Sequence, residues 1–170
     1  MFRPSTYQYF FRQPLPPSAS PQRAVALLHH HKNIIELSPV AIRHRRLTAQ
    51  EIPQTDNTQN DNTIYTYEVT DAVSFLPLGL WDTTVSVNID FSDRDDGVSL
   101  TRHAPMGMTM EERWTVVDTD GEIRDLQLEV TLIASRPALF LFTSMMEKNH
   151  ALYHRGFIDL VVKDMGGGIY

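Results

Sequence analysis

The 170-residue chain contains no cysteine, which removes disulfides, thiolate nucleophiles and cysteine-based zinc sites from consideration. Long apolar runs are missing too. No uninterrupted stretch approaches the roughly 18 to 20 residues that a bilayer span requires, and the opening segment MFRPSTYQYFFRQPLPPSAS has no apolar centre of signal-peptide type. The expectation is a cytoplasmic protein without stable membrane insertion. Positive charge is scarce, with 15 Lys and Arg against 21 Asp and Glu for a formal net charge of −6, which argues against a nucleic-acid partner. The densest basic run, Arg43-His44-Arg45-Arg46, has no basic neighbourhood elsewhere and reads as a solvated strand edge. There is no Gly-rich phosphate loop, Rossmann fingerprint or nucleophile elbow, and Gly166-Gly167-Gly168 sits at the wrong end of a predicted helix for phosphate binding. Nucleotide chemistry is not indicated, and no cofactor is expected.

An apolar content of 42% with 21% charged residues is ordinary for a globular protein, and the length suits one core rather than two. Residues 1–170 therefore read as a single α+β domain. Thr6 to Arg12, rich in aromatics, suits a first strand that ends at Pro14-Leu15-Pro16-Pro17. An amphipathic helix follows, capped by Ser18 or Ser20 with Pro21 in its first turn, and it runs to Ser38-Pro39. A strand from Val40 to Leu47 comes next. The polar stretch 48–62 is expected to be a mobile loop.

From residue 63 to 134 the chain reads as a meander of strands whose inward faces can be tracked by parity. Tyr65, Tyr67 and Val69 share a face. Past a corner at Pro77-Leu78-Gly79, so do Trp81, Val85, Val87, Ile89 and Phe91. A four-residue turn at Asp93–Asp96 then opposes Phe91 to Val98 and Ile89 to Leu100, moving the inward face to even positions. The next hairpin turns through Ala104-Pro105-Met106-Gly107 and sets Val98 against Val116, Leu100 against Trp114 and Arg102 against Glu112. A three-residue loop at Thr119-Asp120-Gly121 places Trp114 near Leu126 and Glu112 near Leu128. A long helix begins at Pro137 and runs to about Lys163, with a seam of Leu139, Phe142, Met145, Met146, Asn149, Leu152, Tyr153, Phe157 and Leu160. Gly156 interrupts that seam, for close backbone approach or for ligand space. Residues 164–170 are expected to fray.

The order strand, helix, antiparallel meander and long C-terminal helix resembles the helix-grip fold of START lipid-transfer domains, the birch-pollen-allergen family and aromatic polyketide cyclases. Leu28-His29-His30-His31-Lys32-Asn33-Ile34-Ile35, Pro77-Leu78-Gly79-Leu80-Trp81, His103-Ala104-Pro105-Met106-Gly107 and His150 to Phe157 look like segments of a fungal family of uncharacterised function within that superfamily. The resemblance implies a curved antiparallel sheet gripping the C-terminal helix around an internal cavity. Residues expected to line it are Tyr65, Tyr67, Trp81, Val85, Val87, Leu100, Met108, Met110, Trp114, Leu128, Phe142, Met145, Met146, Asn149 and Tyr153. Such a wall of aromatic and thioether side chains suits an apolar guest: a polyketide, a terpenoid or a lipid. Each of these residues taken alone is more often plain core than a ligand contact, and only the set together with the resemblance favours a pocket.

Arg102 and Glu112 are the sharpest local signal, because both fall on the face that their apolar neighbours assign to the interior. Buried charges cost several kcal/mol unless paired. Either the two satisfy each other structurally, or Arg102 polarises a ligand carbonyl while Glu112 holds the guanidinium or acts as a base. His29, His30 and His31 cannot share one helical face. His150 and His154 can, but nothing supplies a third metal ligand, so no metal site is expected. His150, near the seam, is the candidate proton donor, and His103 is expected to face outward. The resulting expectation is a cofactor-free cyclase, isomerase or pericyclase, with a non-catalytic lipid or sterol carrier as the alternative. Homodimer formation is left open.

Overall fold

The computed structural model describes residues 4–48, 63–74, 82–119 and 123–166. Residues 49–62 of the expected loop, the corner at Pro77-Leu78-Gly79, Trp81, Asp120-Gly121 and the last four residues lie outside these. Strands β1 (Pro4–Pro14), β2 (Ala41–Arg46), β3 (Ile64–Ser74), β4 (Asp82–Arg94), β5 (Gly97–Ala104), β6 (Met108–Thr119) and β7 (Ile123–Ser135) form one antiparallel sheet in the order β1-β7-β6-β5-β4-β3-β2. Helices α1 (Pro21–His29) and α2 (His31–Glu36) follow β1, and the 31-residue α3 (Arg136–Gly166) closes the described chain. The basic run Arg43 to Arg46 lies in β2, an edge strand, where charge discourages further strand pairing.

Alternation assigns the inward faces correctly, yet each hairpin register differs from expectation by two residues. Phe91 pairs with Leu100, Leu100 with Glu112, and Glu112 with Val130. The reason is turn length. Arg94 pairs with Gly97, so the first turn has two residues rather than four, and Ala104 pairs with Met108 around a 3-10 turn at Pro105–Gly107. Gly107 ends that turn in the left-handed region, where glycine carries no steric cost. Thr119 pairs with Ile123, which moves Trp114 opposite Leu128. A shift of two keeps every side chain on its own face.

The single helix expected over residues 21–37 is two. Ser20 Oγ accepts from the Arg23 amide at 3.4 Å and Pro21 occupies the first turn, but His30 leaves helical geometry with ψ 77. The break turns His31 into the protein, where its ring stacks on Phe91 at 4.4 Å and its Nε2 meets Asp93 at 2.8 Å. His29 Nε2 faces the carbonyls of Arg94 and Gly97 at 3.0 Å. These two histidines hold the helical pair to the β4–β5 turn.

Helix α3 begins one residue before Pro137 and stays helical through Gly166, past the expected fray at 164. Its buried stripe comprises Ala138, His150, Tyr153, His154, Phe157 and Val161, whereas Leu152, expected in the seam, is exposed. Gly156 serves close packing: a Cβ there would stand 2.9 Å from Leu37 Cδ2. Toward its C-terminal end α3 meets a filled core, with Phe157 buried against Trp114 at 5.9 Å and His154 stacked on the same indole at 6.0 Å. Gly97 is tighter still, since a Cβ there would lie 2.0 Å from the Trp114 carbonyl oxygen. Gly97→Ala is therefore expected to cost roughly 1–3 kcal/mol or more through forced strand separation. Urea unfolding checks this, and an unchanged midpoint would contradict the register.

Candidate functional site

The N-terminal half of α3 stands off the sheet, and a cavity of about 330 Å³ lies between them. The sheet contributes Asp71 and Ala72 from β3, Val85 and Val87 from β4, Arg102 and Ala104 from β5, and Met108 and Met110 from β6. Helix α3 contributes Ala138, Phe142, Met145, Met146, Asn149 and Tyr153, while Val40 and Pro105 complete the wall. The size falls near the lower end of small-molecule pockets, about 300–1,000 Å³. Nine of the fifteen expected apolar or polar contacts, from Val85 to Tyr153, are among these residues.

Trp81 lies outside the described residues, and the other five do not line this space. Leu100, Trp114 and Leu128 are fully packed core at the filled end. Tyr65 and Tyr67 turn to the α2 side, where His31 meets their rings at 5.1 and 5.7 Å and the Arg46 guanidinium covers Tyr65 at 4.6 Å. Parity places a side chain on a face, but it does not say which end of the helix stands off that face.

Arg102 and Glu112 do meet, although they are diagonal rather than directly opposed. Arg102 Nε donates to Glu112 Oε1 at 2.6 Å, and Trp114 Nε1 donates to Oε2 at 3.2 Å. Both charged side chains are almost wholly buried, at 7% and 0% exposed. Burial alone would push the Glu112 carboxyl up, but the Arg102 guanidinium, assisted by His150, holds it well below the usual carboxylate range. Glu112 is thereby a poor base and does not line the cavity. Its part in this geometry is to hold the guanidinium.

His150 is buried and also lies off the cavity wall. Its Nδ1 stands 2.8 Å from the Met146 carbonyl and 2.8 Å from the Tyr9 hydroxyl. Since a carbonyl only accepts, Nδ1 carries the hydrogen. Its Nε2 is 3.4 Å from Glu112 Oε1 and makes no hydrogen bond. The expected proton donor therefore stands beside Glu112 and is not among the residues lining the cavity. His154 bonds to Gln13 and to the Leu126 carbonyl. Burial draws its ring pKa down. His103 is half exposed beside Asp90. Among the described residues no group of three or more His, Asp or Glu side chains is placed to hold a metal ion.

Two polar groups in the wall complete the site. Tyr153 donates to Ser38 Oγ at 2.9 Å, which fixes the ring, and burial raises its phenol pKa. Asp71 went unnoticed in the sequence, although it continues the inward alternation of Tyr65, Tyr67 and Val69. Burial raises the Asp71 carboxyl, and the positive charge of Arg102 only partly offsets this. Asp71 Oδ1 and Arg102 Nη2 are both buried without a hydrogen-bond partner. Buried polar atoms of this kind cost roughly 1–3 kcal/mol when left unmade, and here a donor and an acceptor occur on two residues of one cavity wall.

Replacing Glu112 with Gln leaves the buried Arg102 charge without its counter-ion and is expected to lower stability by roughly 3–5 kcal/mol at neutral pH. The sign with pH follows from the depressed folded value: the contribution is fully present above the unfolded carboxylate pKa of about 4.3 and fades as pH falls through the folded one. Denaturant unfolding across pH should show a constant gap between wild type and variant near neutrality that narrows in acid. A gap that widens in acid would contradict the pairing.

Solved structures match this architecture over nearly the whole chain at low identity. The di-domain ARO/CYC StfQ from the steffimycin biosynthetic pathway gives a TM-score of 0.64 at 11% identity, covering 95% of this chain and 52% of that one. The Zhui aromatase/cyclase from Streptomyces sp. R1128 gives 0.58 at 11% identity, covering 96% of each. Ara h 8.0201 gives 0.57 at 12% identity, covering 95% of this chain and 99% of that one. The shared fold is the helix grip, a seven-stranded antiparallel sheet with a C-terminal helix. No curated protein matches the sequence. Residues 4–158 match the family model described as "Domain of unknown function (DUF7053)", and the chain belongs to that family.

Proposed function

We propose that the protein binds an apolar small molecule between the sheet and α3 and acts on it as a cofactor-free cyclase, isomerase or pericyclase. A polyketide or terpenoid intermediate, in a fungal biosynthetic setting, is the substrate class this reading favours. The observation that carries it is a single guanidinium, Arg102, set with Asp71 and Asn149 in a largely thioether, aromatic and aliphatic wall and with one of its donors unused. A carrier needs little more than apolar surface. A buried cation with one donor unmet has an energetic cost that a polarising role would account for.

The chemistry follows from the placement. An apolar wall selects a folded, compact guest, and holding two reacting parts of one molecule together can lower a barrier by several kcal/mol. Arg102 Nη2 donates to a carbonyl or enolate oxygen, and exclusion of water strengthens that interaction. Of the two carboxyl groups, Asp71 is the one in the wall and the one whose pKa is raised, so it is the better suited to move a proton. Tyr153 and Asn149 orient the guest. A carrier function is the second reading, favoured by Met108, Met110, Met145 and Met146, whose flexible side chains accept guests of several shapes.

Native protein extracted with organic solvent and examined by mass spectrometry should release one apolar compound, and Val87→Trp, which fills the cavity, should not. An empty extract from wild type together with no uptake of the neutral dye Nile red would overturn binding. With the extracted compound or its precursor as substrate, Arg102→Gln should lower turnover by about a hundredfold or more. Unchanged turnover would remove Arg102 from the chemistry, and retained binding with no turnover by wild type would leave the carrier.

A further inference from the structure

The described cavity wall contains one cation and one carboxyl group, Arg102 and Asp71. The cation arrives already partnered. Glu112 takes its Nε at 2.6 Å and has no exposed surface from which a ligand could displace it. His150 adds no free positive charge to the wall, because it does not line the cavity and its nitrogens face the Met146 carbonyl, the Tyr9 hydroxyl and Glu112. A ligand carboxylate entering here would meet a guanidinium whose charge is already balanced, with a second carboxyl group beside it. It would exchange full hydration for that environment, at a cost of several kcal/mol.

The unmade hydrogen bonds point to what is accepted instead. Arg102 Nη2 has a hydrogen to donate and Asp71 Oδ1 has a lone pair to offer, and neither finds a protein partner. No hydrogen bond joins these two atoms, since each is without a partner. A polar group inserted between them, accepting from one and donating to the other, satisfies both.

Resting on the binding reading above, we propose that the site selects uncharged ligands whose apolar body ends in a carbonyl acceptor and a hydroxyl donor, and discriminates against carboxylates of the same shape. Glu112, which touches no ligand, sets this charge preference through Arg102 and is a positioning residue.

Three two-ring ligands of matched size test it by displacement of Nile red at neutral pH: a hydroxy-ketone of naphthalene, a naphthoate and an alkylnaphthalene. Wild type should bind the hydroxy-ketone at least about tenfold more tightly than either of the others. Glu112→Gln should shift the preference toward the naphthoate by about tenfold or more, since it releases the guanidinium charge. Asp71→Asn should shift it the same way, since it removes the second carboxyl group from the wall. Equal or tighter binding of the naphthoate by wild type would overturn this inference and leave cavity binding intact. Failure of all three ligands to displace the dye, with the protein folded by circular dichroism, would overturn the binding reading and this inference with it. The wild-type comparison decides even where Glu112→Gln does not fold.

Discussion

The interior of the sheet is organised around one ion pair, Arg102 with Glu112, buried where β5 and β6 face α3. Such a pair gains no stability over well-packed apolar residues, because desolvating two charges offsets most of their attraction. What it imposes is geometry. Glu112 can keep its charge only with Arg102 on one oxygen, Trp114 on the other and His150 close by. That requirement ties together two strands, the indole at the centre of the core and the middle of α3. Tyr9 extends the same tie to β1 through His150.

From that anchor the molecule divides along α3. On the C-terminal side Phe157, His154 and Val161 are buried in the core with Trp114, and Gly156 admits Leu37. On the N-terminal side the helix carries Ala138, Phe142, Met145 and Asn149 above small or slender sheet residues such as Val85, Val87 and Ala104, and a void results. The guanidinium lies at the boundary between the two regimes. It is supported from the packed side and has one unmet donor on the hollow side.

Much of this was legible in the residue pattern. The parity of apolar positions identified the inward face of every strand in the meander, and it brought Arg102 and Glu112 together before any coordinates. Register was misplaced by two because alternation repeats every two residues and cannot tell a two-residue turn from a four-residue one. The break at His30 was invisible, since His31 has no unusual helix propensity and turns inward only because Phe91 and Asp93, far along the chain, receive it. Residues such as Trp114 and Leu128 were expected at the cavity on the same evidence as Met110 and Val87. What separates them is which stretch of α3 borders the cavity and which packs on the core, and no local pattern encodes that. Asp71 could have been found by extending the alternation of β3 one step further.

The helix-grip fold shared with aromatase/cyclases and with Ara h 8.0201 accounts for the shape of the space, while this chain's own residues account for its polarity. The central claim is that α3 and the sheet enclose room for a guest whose polar end reaches Arg102. A crystal structure of the protein carrying its co-purified compound tests it most directly. Density filling the space below Phe142 and Met145, with an acceptor atom about 3 Å from Arg102 Nη2, is the result the account requires. Side chains of α3 closed onto the sheet, with the compound bound elsewhere on the surface, would contradict it.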